Sequence, residues 1–355
     1  MSETLDGRTN ETTRKNMTPS PPAQHVTMHD VAALAQVSAM SVSRVLNGRP
    51  GVSEATKQAV TAAATTLGYR KNELARSLRP GERSRMIALV IGDISNPYYG
   101  IMAQAIEIVA RKSGYAVVIT STNEDPETER TLIIDLVSRR VDGLIVVTCD
   151  DDHQYLASDI ESGVAVVFVD RPPRGLDTDT VLVADRAGSY RATLKLLSRG
   201  HRSIGFIGDY EYLYTARERL AGYRDAMHKS SAETSFVQSD VHTRAEAEQV
   251  VTSWLAAANP PTAIIAGNNL IAAGVAAGCA PSTDLELVGF DFLPDSRLAM
   301  SIGYDVGELG ARAAHRLFEQ IEGIDRDPIT DVIDLQLSVA TDAHVAGPAK
   351  SRVPR

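Results

Sequence analysis

Cysteine is nearly absent from this 355-residue chain: only Cys149 and Cys279 occur, and their spacing suits no metal. A disulfide framework and a zinc module are thereby excluded, and a reducing compartment such as the cytoplasm is the natural setting. Long apolar runs are missing too. Stretches such as 143–147 and 165–169 are far too short to span a bilayer. Residues 1–24 are rich in Thr, Pro and Asn and hold no apolar core, so they read as a disordered tail and not as a secretory signal. Catalytic arrangements are also lacking. The sequence has no Gly-x-Ser-x-Gly elbow, no paired histidines on one helix face, no P-loop and no Gly-rich dinucleotide fingerprint after a first strand. The eight histidines do not cluster, and His201, in Arg199-Gly200-His201-Arg202, reads as a turn or packing residue. No enzymatic activity, cofactor or metal is expected. Residues 344–355 read as a tail, and within it 347–355 carries no heptad, which leaves no basis for a tetramerising coil.

What is present begins with a division of charge. The net charge of −9 hides a segment, residues 25–85, with nine Lys/Arg against four Asp/Glu, while residues 86–355 hold 24 against 38. A small basic module ahead of an acidic body places any nucleic-acid contact at the N-terminal end. The module reads as three short helices. Thr27 caps the first, with Asp30 at the third position, and Val31, Leu34 and Ala35 facing one way. Ser38 caps the second, with Val42, Val45 and Leu46 inward. Ser53 caps the third, whose apolar side is Ala55, Val60, Ala63 and Leu67 and whose stop is Gly68. Two short helices joined by about three residues match a helix-turn-helix. Residues 72–79 make one or two further helical turns ahead of Pro80-Gly81, too few to be stable alone in water.

After Ser84 apolar strands alternate with amphipathic helices. Strands are expected near 86–91, 116–120, 143–147 and 165–170, with helices near 99–113, 128–139 and 154–163 between them. From Val181 the scheme restarts: strands near 181–184, 204–208, 263–266 and 287–290, helices near 188–199, 217–227 and 244–257. Two rounds of strand–helix alternation imply two lobes, each a doubly wound parallel sheet covered on both faces. The expected domains are a helix-turn-helix at 25–70, a hinge and linker at 71–84, and a two-lobed body at 85–343. Its first lobe takes about 85–180 and 304–324, and its second about 181–303 and 325–343.

Ligands of open parallel sheets bind at the carboxyl ends of the strands. In the first lobe those ends carry Asp93, Ser95, Asn96, Tyr98, Tyr99, Asn123, Asp170 and Arg171. In the second they carry Asp185, Tyr210, Arg217, Arg219, Asn268, Asn269, Asp291 and Phe292. Carboxylates, amides and an Arg with a few aromatics suit a polyhydroxylated molecule, because each hydroxyl both donates and accepts and ring faces stack on its CH groups. Any one of these Asp or Asn residues serves equally as the cap of the following helix; it is the recurrence in both lobes that informs.

Several segments, in one order along the chain, resemble the lactose/galactose repressor (LacI/GalR) family of bacterial transcription regulators. They are Val26-Thr27-Met28-His29-Asp30-Val31-Ala32, residues 37–47, the hinge-like Leu74-Ala75-Arg76-Ser77-Leu78-Arg79, Asp93-Ile94-Ser95-Asn96-Pro97-Tyr98-Tyr99, Arg140-Val141-Asp142-Gly143, Val169-Asp170-Arg171-Pro172, Gly200-His201-Arg202, Arg219-Leu220-Ala221-Gly222-Tyr223 and Val288-Gly289-Phe290-Asp291. The resemblance implies a periplasmic-binding-protein-like body and a repressor of carbohydrate or nucleoside genes. Such a protein binds a near-palindromic double-stranded operator as a homodimer, works in the cytoplasm without a membrane partner, and is switched by a small sugar-like effector. The alternative is a cytoplasmic sugar-binding protein with no operator. The resemblance puts the second helix in the major groove, with Ala39 and Met40 reading thymine methyls and Arg44 pairing with guanine. Thr27, Ser38, Ser41, Ser43, Asn47 and Arg49 fall on phosphate-contacting positions. Leu78, between Arg76 and Arg79, matches the hinge leucine that wedges into the minor groove. The implied effector set is Asp93, Asn96, Tyr98, Tyr99, Asp170, Arg219, Asn268 and Asp291, with Arg219 and Asp291 as its anchor pair. Four departures stand out. Asn269 replaces the usual Asp, and Arg186 an Asn. The stretch 274–288 is about six residues short, which should trim or remove a helix. Ala340 stands in place of an Arg.

Overall fold

The structure, a computed structural model, describes residues 26–69, 83–232, 234–280, 283–291, 298–324 and 326–339. The tails, the hinge residues Arg76, Leu78 and Arg79, and Phe292 and Ala340 lie outside them. The chain divides into two compact units, Met1–Arg79 and Pro80–Arg355.

In the first unit the helices are α1 (Met28–Ala35), α2 (Ala39–Leu46) and α3 (Glu54–Leu67). Each begins where a hydroxyl meets free amides. Thr27 Oγ accepts from the Asp30 amide while the Asp30 carboxylate accepts from the Thr27 amide at 2.7 Å, a reciprocal capping box. Ser38 and Ser53 cap α2 and α3 in the same way. Gln36 turns the chain in the left-handed region (φ 53°) and Gly68 ends α3 at φ 61°. Val31, Ala32, Val42, Val60 and Ala63 form the core. Leu34 and Ala55, read from the sequence as inward, are exposed. On helices of two to four turns the three-way core spans a narrower arc than the sequence stripe.

The second unit holds two six-stranded sheets. The first has the order β11-β5-β4-β3-β1-β2, built from β1 (Met86–Ile91), β2 (Ala116–Ser121), β3 (Gly143–Val146), β4 (Ala165–Val169), β5 (Thr180–Val183) and β11 (Thr330–Ile333). The second has the order β12-β10-β9-β8-β6-β7, from β6 (Ile204–Ile207), β7 (Val237–Gln238), β8 (Ala263–Ala266), β9 (Glu286–Phe290), β10 (Leu298–Gly303) and β12 (Gln336–Val339). Every pairing is parallel except β10 with β12. The helices are α4 (Pro97–Lys112), α5 (Pro126–Ser138), α6 (Ala157–Glu161), α7 (Asp185–Ser198), α8 (Tyr214–Lys229), α9 (Arg244–Leu255), α10 (Asn269–Gly278) and α11 (Val306–Ile321).

The lobe boundary differs from the one read at Val181. Strand β5 pairs with β4 through Phe168↔Thr180 and Val169↔Val181, so it closes the first sheet and does not open the second. No helix intervenes between β4 and β5, and that break in the alternation is what imitated a new lobe. Strand β11 also returns to the first sheet, beside β5. The chain therefore crosses between lobes three times: at Ala184, at Tyr304-Asp305 and at Asp334-Leu335. The shortened stretch does not remove its helix, since α10 keeps ten residues. Gly274 and Gly278 let it lie close on α9. A Cβ at Gly274 would stand 2.3 Å from the Arg244 carbonyl oxygen.

Candidate functional site

The carboxyl ends of both sheets face one another across a cleft with about 540 Å³ of atom-free space, part of it open to solvent. The structure brings Asp93, Asn96, Tyr98, Tyr99, Asp170, Arg219, Asn268 and Asp291 together in its lining. Asn96 and Asn268 also cap α4 and α10, so these two residues line the cleft and cap a helix at once. Asp170 and Asp291 end β4 and β9 in the left-handed region, at φ 69° and 57°. That conformation disfavours a side chain by roughly 1–2 kcal/mol, and its repetition at matched strand ends turns both carboxylates toward the cleft.

On the second lobe Arg219 is 4% exposed and fully engaged. Its Nε donates to Asp185 Oδ1 at 2.6 Å, and Nη1 donates to Asp291 Oδ2 at 2.9 Å and to the Gly267 carbonyl at 2.6 Å. The Phe290 ring lies 4.3 Å from the guanidinium. Arg219 and Asp291 thus form a direct pair, but Asp185 shares the cation. Burial, opposed by Arg219, pushes the Asp185 carboxyl up to about 7, and its Oδ2 is buried with no partner.

On the first lobe Tyr98 donates its hydroxyl hydrogen bond to Asp170 at 2.8 Å and meets the Tyr304 hydroxyl at 2.7 Å. Burial raises the Asp170 carboxyl, with Arg171 and Arg219 opposing. Arg171 forks onto Glu124 (2.6 and 3.0 Å) and reaches the Thr148 carbonyl at 3.1 Å. Behind it, buried Glu129 accepts from Thr148 Oγ at 2.7 Å and from the Cys149 amide at 2.6 Å, which fixes the end of β3.

Among the described residues, two direct hydrogen-bond links hold the lobes near each other at the cleft. Asn96 and Asn269 exchange amide hydrogen bonds at 2.7 and 3.3 Å, and Tyr212 donates to the Glu124 carbonyl at 2.8 Å. Other strand-end candidates stand elsewhere. Asn123 is exposed, Ser95 caps back onto Asp93 (2.8 Å), and Arg217 is exposed and turned to the Glu211 and Tyr212 carbonyls. Tyr210 stacks between Tyr212 and His242, with ring centroids at 5.3 and 4.7 Å.

Sequence reasoning missed Glu124, Asp209, Thr215 and His242 in the lining and Tyr304 behind it. Glu124 lies one residue beyond a strand end already under suspicion. His242 follows a two-residue strand without a visible pattern. Its hydrogen bond to Asp209 at 2.9 Å, opposed by burial, raises its pKa.

In the first unit, α2 presents Met40 (68% exposed) and Arg44 outward. Ala39 is half-buried against the helical core, and the Asn47 amide is tied to the Ser43 carbonyl at 2.7 Å. Thr27, Ser38, Ser41 and Ser43 take part in caps and helix-end bonds, and Arg49 is exposed. Among the described residues, no group of three or more His, Cys, Asp or Glu could hold a metal, and no helix is long and apolar enough to cross a membrane.

Comparison with known proteins agrees with this geometry. Residues 27–72 match the family described as bacterial regulatory proteins, lacI family, and residues 84–285 match periplasmic binding proteins and sugar binding domain of LacI family. The chain is 33% identical over 299 residues to the HTH-type transcriptional regulator GalR of Salmonella typhimurium (strain LT2), covering 81% of this chain and 87% of that one. It is 32% identical to the ribose operon repressor of Halalkalibacterium halodurans, covering 83% and 90%. The crystal structure of the lac repressor dimer bound to operator and the anti-inducer ONPF shares the fold, with a TM-score of 0.77 at 24% identity over 88% of this chain and 98% of that one. A helix-turn-helix head and a two-lobed sugar-binding-type body, matched over most of their length, show that this chain belongs to the LacI family of bacterial transcription regulators.

Proposed function

We propose that the protein is a cytoplasmic repressor that binds a near-palindromic operator as a dimer and is switched by a polyhydroxylated small molecule held between its lobes. One observation carries the DNA half of this reading. Met40, a large apolar side chain, stands 68% exposed on the outer face of a helix whose frame is capped at both ends, with Arg44 one turn further on. A thymine methyl and a guanine edge are the complements of such a pair. The supporting residues Thr27, Ser38, Ser41, Ser43, Asn47 and Arg49 lie at helix starts and ends, where phosphates are met. The match to the sugar binding domain of LacI family and to a ribose operon repressor favours a carbohydrate or nucleoside effector.

The dimer has a candidate surface on the first lobe. Ile94, Ile101 and Ile108 on and beside α4, with Val118 and Ile119 on edge strand β2, are 37–68% exposed. An apolar patch next to an unpaired strand edge favours a second copy. Closure of the cleft would then alter the spacing of the two heads.

The test is selection of duplexes from a random library by the full-length protein, followed by mobility shift with candidate effectors. Enrichment of near-palindromic sites is expected, with Arg44→Ala losing about 1–3 kcal/mol of discrimination at one base pair of each half-site. Absence of any shift at every salt concentration sinks the operator reading.

A further inference from the structure

The charges of the cleft do not balance, and the imbalance constrains what can enter it. Among the described residues its lining holds three basic side chains, Arg171, Arg219 and His242. Each is already taken by a carboxylate: Arg171 by Glu124, Arg219 by Asp185 and Asp291, His242 by Asp209. Asp170 is 4% exposed, and its nearest cation is Arg171 Nε, 3.8 Å away. Asp93 accepts only from Ser95, at 2.8 and 2.7 Å. On the second lobe one buried guanidinium is shared by two buried aspartates, and on the first Asp170 and Asp93 have no cation of their own, so each lobe carries surplus acid. The helix starts that open here offer little compensation. Asn96 and Asn268 already accept from amides at the starts of α4 and α10; α7 and α8 start without a side-chain cap, but α7 opens on the buried carboxylate of Asp185.

Resting on the effector reading above, we infer that the effector is an uncharged or cationic polyol, and that phosphate- and carboxylate-bearing sugars are rejected. A buried phosphate needs uncommitted positive charge, and here every cation is already paired with a carboxylate; the Arg171 Nε, buried without a hydrogen-bond partner, lies 3.8 Å from the Asp170 carboxylate, which would repel an anion placed on it. Hydroxyls and an ammonium, in contrast, donate to the spare oxygens of Asp170 and Asp93 without displacing anything.

Two arms test this on the full-length protein, both read by the fluorescence of Trp254, the chain's single tryptophan, which lies in the second lobe. In the first arm, D-glucose, D-galactose and D-ribose are compared with their phosphates and with glucosamine and glucuronate by thermal shift. Melting is expected to rise with uncharged or amino sugars alone. A phosphate or uronate that raises it as much as its uncharged parent overturns the inference, and the open start of α8 beside Thr215 is where such a ligand would sit.

The second arm needs no ligand. Asp185 is faced by Arg219 and Tyr214 from α8, by Asp170 and Asp291 from the ends of β4 and β9, and by Tyr304 after β10. Its carboxyl titrates near 7 in the folded protein and near 4 when unfolded, so the folded state holds the extra proton between those values. Stability therefore falls as pH rises from 5 to 8, by on the order of 5 °C in melting temperature, and Asp185→Asn flattens the slope. Asp170→Asn is the second variant and should flatten it in part. If no sugar binds in any form, the polyol reading under Proposed function falls and the effector's charge class falls with it; this arm then decides only whether the cleft holds surplus negative charge. A slope that falls and is flattened by the variants sustains that surplus, and a flat slope in the unmutated protein overturns it.

Discussion

Each lobe brings one buried arginine to the cleft, but the two are held differently. Arg171 on the first lobe forks onto Glu124 with both oxygens used, and its other acidic neighbour, Asp170, comes no nearer than 3.8 Å, so one acid takes up its hydrogen bonds. Arg219 on the second is divided between Asp185 and Asp291 and the Gly267 carbonyl. A matched pair is a structural tie that ligand arrival need not disturb. A guanidinium shared by two acids is a site whose electrostatics depend on what else is present, because the third charge has to be neutralised by a proton or a ligand. The two arginines thus differ in kind, Arg171 as a fixed tie and Arg219 as a charge that answers to its surroundings.

Removing Arg219 breaks this comparison hardest. Arg219→Leu strands two buried carboxylates and is expected to lower the stability of the body by about 3–5 kcal/mol, measured by urea unfolding, and to abolish any effector-induced shift. Arg219→Lys should fail to restore either, because one ammonium cannot serve Asp185, Asp291 and a carbonyl from their three directions. If Lys restores full stability, the planar fork is irrelevant and the site is a simple charge cluster.

Glu124→Gln probes the matched pair and should cost less, about 2 kcal/mol, because the amide oxygen still accepts one bond and Arg171 keeps the Thr148 carbonyl at 3.1 Å. An equal or larger loss than Arg219→Leu would erase the distinction between the lobes. Tyr98→Phe removes one hydroxyl bond to Asp170 and one to Tyr304, an expected loss of about 1–2 kcal/mol. It strips Asp170 of its one close donor, so effector affinity should fall by more than stability does. Calorimetric titration with whichever sugar binds, beside unfolding of the same variant, separates the two.

How much of this was legible in the chain depends on the distance over which each feature is decided. The capping box of Thr27 and Asp30, the caps at Ser38 and Ser53 and the stop at Gly68 depend on residues three or four apart, and the sequence states them outright. Asp93, Asn96, Asp170 and Asp291 follow strands whose apolar runs are visible, so their place at the cleft follows from the rule for parallel sheets. Asp185 as a second partner of Arg219, Tyr304 behind Tyr98, and His242 on Asp209 are decided by pairings 33 to 206 residues apart. Nothing local announces these. The return of β11 to the first sheet is of the same kind, since its register with β5 is set by the whole lobe.

The smallest expected effect concerns the seam between the lobes. Asn269 stands where the family resemblance leads one to expect Asp, and it donates to Asn96 Oδ1 at 2.7 Å across the cleft. Asn96 cannot simply turn its amide over, because the same Oδ1 accepts the Tyr98 amide at 3.1 Å and caps α4. In Asn269→Asp the bond from Asn96 Nδ2 can survive, but a carboxylate oxygen replaces the donor that faced Asn96 Oδ1. The Leu270 amide, now bonded to Asn269 Oδ1 at 2.9 Å, is served equally well by Asp, so the start of α10 should hold. Stability is expected to change by less than about 1 kcal/mol. The balance between closed and open cleft should move further, because every term that changes lies between the lobes and none within them. Small-angle scattering of the ligand-free protein checks this. A larger radius of gyration for the variant, recovered at a pH low enough to protonate the new carboxyl, marks the amide pair as the latch of the closed state. An unchanged radius places the closure in the Tyr212–Glu124 link instead.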